Sequence, residues 1–215
     1  TDPDYMERAA TDFLTDEQIA ALDKTISHER ADPWPEPPKQ GDTVWLAAAD
    51  RNGLSVSFIQ SIFWEYGSGV VLPGTGITWQ NRGTSYSLND NDPNRLDPGR
   101  LPFHTIQPAM AQLRDGRLMS YGTMGGEGQP QTQAAIFSRY ALHGSELQNA
   151  VTAPRWLLGR TWGEESTNLK IESRFDVSVI EGLRRLGHDV QSVGAFEEFM
   201  GHAGAIVRHP DGLLE

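Results

Sequence analysis

Three short stretches of this chain carry residue types that could do chemistry. The first is Gly41-Asp42-Thr43, which puts a hydroxyl residue at the head of an expected strand, directly after a proline-rich segment. One chemistry uses that arrangement. The threonine hydroxyl attacks the carbonyl carbon of the preceding residue, the peptide shifts to an ester, and water releases it. The freed α-amine then lies beside its own hydroxyl and can act as its base. Threonine is also a good strand residue, so a purely structural role fits the same position. The second stretch is Gly122-Thr123-Met124-Gly125-Gly126, between a strand and a helix. Glycines there let backbone N–H groups converge on an anionic oxygen. A tight strand-to-helix turn would use them equally. No Lys-Ser or Lys-Thr follows, which excludes a phosphate-binding Walker loop. The third stretch, Gly67 to Gly76, sets glycines around a short apolar run. It suits a loop lining a pocket, or bulges in an edge strand.

Other chemistries are excluded or disfavoured. There is no cysteine, which removes disulfides, thiolate zinc sites, iron–sulfur clusters and cysteine nucleophiles together. The six histidines include no pair four apart with a Glu between, so a zincin site is absent. Only His104 has a contextual reason to face a pocket. The other histidines read as surface residues, and Glu164, Glu165, Glu197 and Glu198 as solvated faces. Trp45, Trp64 and Trp79 lie on or beside expected strands and read as core or pocket wall. With 18 Lys+Arg against 29 Asp+Glu, the net charge is −11. That balance argues against duplex nucleic acid or an anionic membrane as partner. No run of apolar residues is long enough to span a bilayer.

The elements that must position these stretches follow from periodicity and punctuation. The 215 residues are 38% hydrophobic and 22% charged, as in a globular chain of about one domain. Residues 4–29 read as helical, with Asp16 as cap and Ile19, Leu22 and Ile26 at helical spacing. Asp32 to Gln40 holds four prolines and reads as an extended linker. Strands are expected at Thr43–Asp50 and Leu54–Phe63, joined at Arg51-Asn52-Gly53, with Leu54, Val56 and Phe58 alternating. Another is expected at Ile77–Gln80, then a loop over 89–102, and a hairpin of Pro108–Leu113 with Leu118–Gly122. A helix from Pro130 to His143 should end at Gly144. Ser145 with Gln148 reads as a capping box for a short helix before Pro154. Leu169–Ser173 reads as a strand. Asp176 should cap a helix with Val179, Ile180, Leu183 and Leu186 on one face, closed by Gly187. Val190–Val193 and Ala205–Val207 complete the strands. Hairpins followed by helices give an α+β layered domain.

These pieces, taken in order, resemble the small subunit of the γ-glutamyltransferase family, members of the N-terminal-nucleophile hydrolases. The resemblance runs from Gly41 to about Asp211. It is carried by Asp42-Thr43 and its strand, Asp50-Arg51-Asn52-Gly53 with Ser55-Val56-Ser57, and the loop from Gly67-Ser68-Gly69 to Ile77. It continues through Pro93-Asn94 with Pro98-Gly99-Arg100, the Pro108 strand with Asp115-Gly116, Gly122 to Gly126, and Ala153-Pro154-Arg155. Residues 1–42 then resemble the tail of the family's large subunit with its linker, and 43–215 the catalytic small-subunit domain.

The resemblance implies a four-layer αββα sandwich of which this chain is part, with the large subunit of the same precursor as partner. It implies Thr43 as the nucleophile exposed by self-cleavage, Ser61 as its hydrogen-bonding support, and Gly125 and Gly126 as the oxyanion hole. His104 and Thr105 fall on a pair that holds the substrate carboxylate. No metal or organic cofactor is needed, and neither nucleic acid nor membrane is expected as partner. The compartment is not decided by these residues, with the cytoplasm favoured over the periplasm. Members specific for γ-glutamyl groups place an Asn where this chain has Phe63, and an acid where it has Gln80-Asn81-Arg82-Gly83-Thr84-Ser85. Arg82 reverses the local sign, and Phe63 and Ser85 complete that pocket. The Gln-Asn-Arg-Gly and Pro-Phe-His-Thr pattern is similar to the branch that includes oxamate amidohydrolase. The expected activity is amide hydrolysis or acyl transfer on γ-glutamyl or related small carboxylate amides. An oxamate amidohydrolase-like specificity is the alternative, as is a catalytically silent, unprocessed fragment or binding scaffold. The chain is expected to be inactive without the large subunit.

Overall fold

The computed structural model describes residues 3–30, 42–159 and 166–215. The proline-rich segment, and with it Gly41, lies outside the described residues, as do Glu164 and Glu165. Strands β1 (Asp42–Ala49) and β2 (Ser55–Phe63) form an antiparallel hairpin. Asp50 closes its turn by accepting from the backbone N–H groups of Asn52 and Leu54 at 2.8 and 2.9 Å, and Gly53 takes the positive φ of 97° that the turn requires. A second antiparallel sheet has the order β3 (Ala109–Gln112), β4 (Leu118–Gly122), β8 (Gly204–Arg208). A third contains β5 (Trp156–Leu158), β6 (Leu169–Glu172) and β7 (Val190–Val193), with β6 and β7 parallel. Their connection is helix α4 (Val177–Arg185), as a parallel pair demands.

The hairpin packs on the second sheet through Trp45. Gly122 and Gly204 face each other across β4 and β8, and a Cβ on either would collide with the Trp45 indole. The indole Nε1 donates to Ser57 Oγ at 3.0 Å, so its polar edge is satisfied while the ring lies on bare backbone. Behind β4 and β8 sit helices α2 (Gly128–Phe137) and α3 (Leu147–Thr152). The core between them is Met119, Ile136, Tyr140, Leu147, Ala150 and Val207. Hairpin, sheet and helices are successive layers of a sandwich, and the expected α+β class holds. The outer side of the hairpin, with Val44, Leu46, Val56 and Phe58, is exposed.

Several elements differ from the sequence expectation. The segment expected as one helix over 4–29 has two short 3-10 turns and a single helix α1 (Asp16–Asp23). Its cap is Thr15, not Asp16, with Thr15 Oγ1 accepting from Gln18 N at 3.3 Å. Ile19, Leu22 and Ile26 remain exposed, so their helical spacing meets no core among the described residues. Ile77–Gln80 is not a strand but contributes one bridge, Thr78 to Val71. The Ser145–Gln148 box does not form. Glu146 is the cap residue and its side chain does not cap a backbone N–H; the carboxylate of Glu215 accepts from Leu147 N at 3.4 Å instead. Only Ile180 of the expected α4 face is buried, with Val179 44% exposed. Strand β5 was not anticipated, because three residues before a glycine carry no period. Among the described residues no helix is long and apolar enough to cross a membrane.

Candidate active site

Thr43 sits at the entrance of β1, where the hairpin register breaks. Asp42 pairs with Phe63 and Thr43 with Ser61, so Ile62 is an extra residue on β2, a bulge that faces the Asp42–Thr43 peptide. A bulge turns a side chain and loosens the ladder at one peptide. Here that peptide is the expected scissile one. Thr43 Oγ1 donates to Ser61 Oγ at 3.0 Å, and Ser61 Oγ also accepts from the Phe63 N–H at 3.0 Å. The two hydroxyls expected to work together are therefore in contact, across the two strands of one hairpin.

Thr43 lines a cavity of about 680 Å³, whose wall includes Ile62, Met124, Glu198 and His202. Met124 belongs to the glycine-rich turn between β4 and α2. Gly125 and Gly126 follow it with φ of 116° and 52°, conformations open to glycine and strained for other residues. Space is open where a side chain on Gly126 would be. The turn is backed by Gly201, where a Cβ would fall 2.8 Å from the Met124 carbonyl oxygen. Gly201 in turn is held by Arg155, whose buried guanidinium donates to the carbonyls of Met200, at 3.3 Å, and Gly201. Arg155 faces the fully buried Glu172 at 3.7 Å, and Glu172 pairs with Arg174. One buried carboxylate between two guanidiniums thus supports the wall behind the glycine turn. Burial lowers the Arg155 pKa, opposed by the Glu172 charge.

A second group of expected residues gathers around Phe63. Phe63 is buried and has a φ of 77°, rare for a bulky residue. The Arg82 guanidinium stands 5.0 Å from its ring centre. Arg82 is only 3% exposed, and neither terminal nitrogen of its guanidinium has a hydrogen-bond partner among the described residues. Burial pulls its pKa down from the ordinary arginine value. The Asn81-Arg82 segment is pinned to the end of β2, with Asn81 N donating to Ile62 O at 3.2 Å and Asn81 Oδ1 accepting from Trp64 N at 3.0 Å. Ser85 does not aim at this opening; its hydroxyl donates back to the Arg82 carbonyl at 2.7 Å. His104 keeps much of its surface exposed, and its pKa is lowered by partial burial and then by the Arg82 charge. Thr105 follows, half-buried. Phe63 joins the two groups, since its N–H reaches Ser61 and its ring carries Arg82.

The arrangement offers a supported hydroxyl beside a cavity, a glycine turn on the same cavity, and a buried cation with unfilled donors nearby. That set suits attack on a carbonyl carbon in a small anionic molecule. Sequence reasoning missed Glu198 and His202, read there as surface groups and found on the cavity wall with Thr43. Their only sequence signal was Gly201 between them and the strand that follows. Arg155 enters the sequence reading as a motif residue without a task. Among the described residues no group of three or more His, Asp or Glu could hold a metal ion.

Comparison with known proteins gives one family. The gamma-glutamyltranspeptidase family model matches residues 1–215. The chain is 56% identical over its full length to an oxamate amidohydrolase proenzyme of Klebsiella pneumoniae, of which it covers 41%. It is 41% identical over its full length to the glutathione hydrolase-like YwrD proenzyme of Bacillus subtilis, again covering 41%. Among solved structures, a cephalosporin acylase from Bacillus halodurans superposes with a TM-score of 0.80 at 33% identity, over all of this chain and 38% of that one. The chain spans about two-fifths of the length of the curated relatives it matches.

Proposed function

Since the chain belongs to the γ-glutamyltranspeptidase family, with its N-terminal-nucleophile hydrolase fold, we propose that it is the part of a proenzyme that carries the nucleophile of an amide hydrolase. Thr43 is that nucleophile, freed when the Asp42–Thr43 peptide cleaves itself. The contact between Thr43 Oγ1 and Ser61 Oγ at the bulge carries this reading. Residues 1–42 are then the tail of one product and 43–215 the body of the other. The remainder of the precursor supplies the larger partner.

In the reaction, Thr43 Oγ forms the bond to the amide carbon as its proton passes to the Thr43 α-amine. The carbonyl oxygen becomes an oxyanion facing the N–H groups of Gly125 and Gly126. The C–N bond breaks, the same proton leaves on the departing amine, and water hydrolyses the acyl-threonine ester. One oxyanion donor is worth roughly 10²–10³ in rate. Ser61 holds the hydroxyl in line. Arg82, with His104 and Thr105 at the rim, binds the substrate's carboxylate, and Phe63 closes the space an α-amino group would need. The substrate class is a small dicarboxylic monoamide such as oxamate. A γ-glutamyl amide carries an ammonium, which Arg82 repels.

The test uses the complete precursor. Denaturing mass measurement should find two products, one beginning at Thr43, and Thr43→Ala should leave one uncleaved, inactive chain. Oxamate should be hydrolysed faster than a chromogenic γ-glutamyl anilide. Amidase activity in Thr43→Ala overturns the nucleophile, and a preference for the anilide overturns the role given to Arg82.

A further inference from the structure

The segment ahead of the proline-rich stretch is held against the loop that leads to His104. Arg100 is the centre of that loop. Its side chain is 4% exposed. One end of the guanidinium donates to the Pro93 carbonyl at 2.6 Å. The other reaches the Arg95 carbonyl at 3.4 Å and the Asp97 carboxylate at 3.3 Å. The Tyr86 hydroxyl donates to the carbonyl of Arg100 itself. Residues 86–100 are thus wrapped around this buried cation, and the exposed Arg95 shares its Asp97 carboxylate at 2.6 Å. The face of that cation is covered by Tyr5, whose ring centre is 4.1 Å from the guanidinium carbon. Tyr5 and Arg95 line the same cleft. The segment that presents Tyr5 is itself tied together, with Arg8 over the Phe13 ring at 4.7 Å and Ala9 N donating to the Asp12 carboxylate at 3.2 Å.

We propose that Tyr5 docks on Arg100 as a brace between the segment upstream of the Thr43 junction and the loop that carries the carboxylate site. After cleavage the same contact joins the two products. Its effect on substrate rests on the reading of Arg82 and His104 as that site; its existence does not. A ring laid on a planar cation keeps water from one face and fixes the loop's centre. Without the ring, residues 86–100 gain freedom, and part of the binding free energy goes into ordering them again. Thr43, Gly125 and Gly126 stand on other elements, so the chemical step keeps its rate.

Wild-type precursor, Tyr5→Ala and Tyr5→Phe would be compared by hydrogen exchange over residues 86–101 and by oxamate kinetics. Tyr5 is 45% exposed, so its removal leaves no buried void, and thermal unfolding checks that each variant is folded. In Tyr5→Ala the exchange of this loop should accelerate by about 3–10-fold, and KM for oxamate should rise by a similar factor at constant kcat and constant cleavage. Tyr5→Phe should match wild type, because the ring and not the hydroxyl covers Arg100. Unchanged exchange in Tyr5→Ala overturns the brace. Faster exchange with unchanged KM overturns its link to the carboxylate site. Where wild type does not turn oxamate over, the exchange comparison still decides the brace, and the failure belongs to the substrate reading.

Discussion

Arg82 is buried and has no carboxylate to answer it among the described residues. Taking a cation out of water is costly unless hydrogen-bonding partners are supplied. A substrate anion would supply them, and the free enzyme bears the cost until it does. Arg82→Met keeps a long chain over Phe63 and removes the charge. KM for oxamate should rise by about 10–100-fold, the loss of charged hydrogen bonds, while the melting temperature of the substrate-free enzyme holds or increases. A fall in melting temperature would make Arg82 a structural residue. His104 gives a pH test. Its folded pKa is lowered, by partial burial first and the Arg82 charge second, so the unfolded chain takes up the proton more readily. Its contribution is therefore complete above the unfolded value of about 6.5 and is lost as the pH falls through that value toward the folded one. Scanning calorimetry between about pH 5 and 7 should show a steeper loss of stability on acidification in wild type than in His104→Asn. At this scale the sequence is readable where order along the chain pairs two residues, as for Thr43 and Ser61, whose hydroxyls meet across the hairpin. It is not readable for Glu198 and His202, which line the cavity on either side of Gly201, itself packed against Met124.

The elements show the same divide. The β1–β2 hairpin, the β3–β4 hairpin and α4 announce themselves through an Asp-x-Asn-Gly turn, an Asp-Gly turn and an Asp cap, all local devices. What failed was local too, but was overridden from far away. Ser145 yields the α3 terminus to Glu215, 68 positions on from Leu147. Ile77–Gln80 has strand composition and bonds residues 68–72 through Leu72 N to Ile77 O and Trp79 N to Val70 O, yet the loop's glycines reduce the pairing to an isolated bridge. The support of the glycine turn is also a long-range matter, since Arg155 precedes β5, Glu172 ends β6 and Gly201 precedes β8. Removing Glu172 takes away the buried carboxylate that answers both the buried Arg155 and the partly exposed Arg174. Breaking one partner out of a buried pair costs about 3–5 kcal/mol. Glu172→Ala should lower the urea midpoint accordingly. Glu172→Gln, which keeps an acceptor for Arg174, should lose less stability, with kcat falling more than KM changes because the wall behind Gly125 and Gly126 shifts. Equal urea midpoints for wild type and Glu172→Ala would remove this carboxylate from the support.

At the scale of the molecule, the β1–β2 hairpin has two faces, and only one of them is packed among the described residues. Trp45 and Ile59 point to the second sheet, with Ile59 5% exposed. Val44, Leu46, Val56 and Phe58 on the other side are 44–52% exposed. Alternation along a strand says that one face is buried, but it does not say against what. In β2 the more apolar face is the one left open here. An apolar strip on a two-stranded sheet is an unstable surface for an isolated chain, and the curated relatives are more than twice as long as this chain. On the proposed reading of the chain as part of a precursor, the strip is where the larger portion should lie, adding strands or side chains above the hairpin that holds Thr43. Phe58→Asp in the complete precursor tests it. Phe58 lies well inside the hairpin, opposite Leu46 and away from the Thr43 end, so the substitution touches no catalytic group. A carboxylate buried without a partner should unseat the two portions. The expected outcome is loss of cleavage together with a larger, probe-binding particle in size exclusion, whereas Phe58→Leu keeps both cleavage and size. Normal cleavage in Phe58→Asp would mean that this face stays open to water in the assembled enzyme. The junction at Thr43 would then be held in place from the glycine-turn side alone.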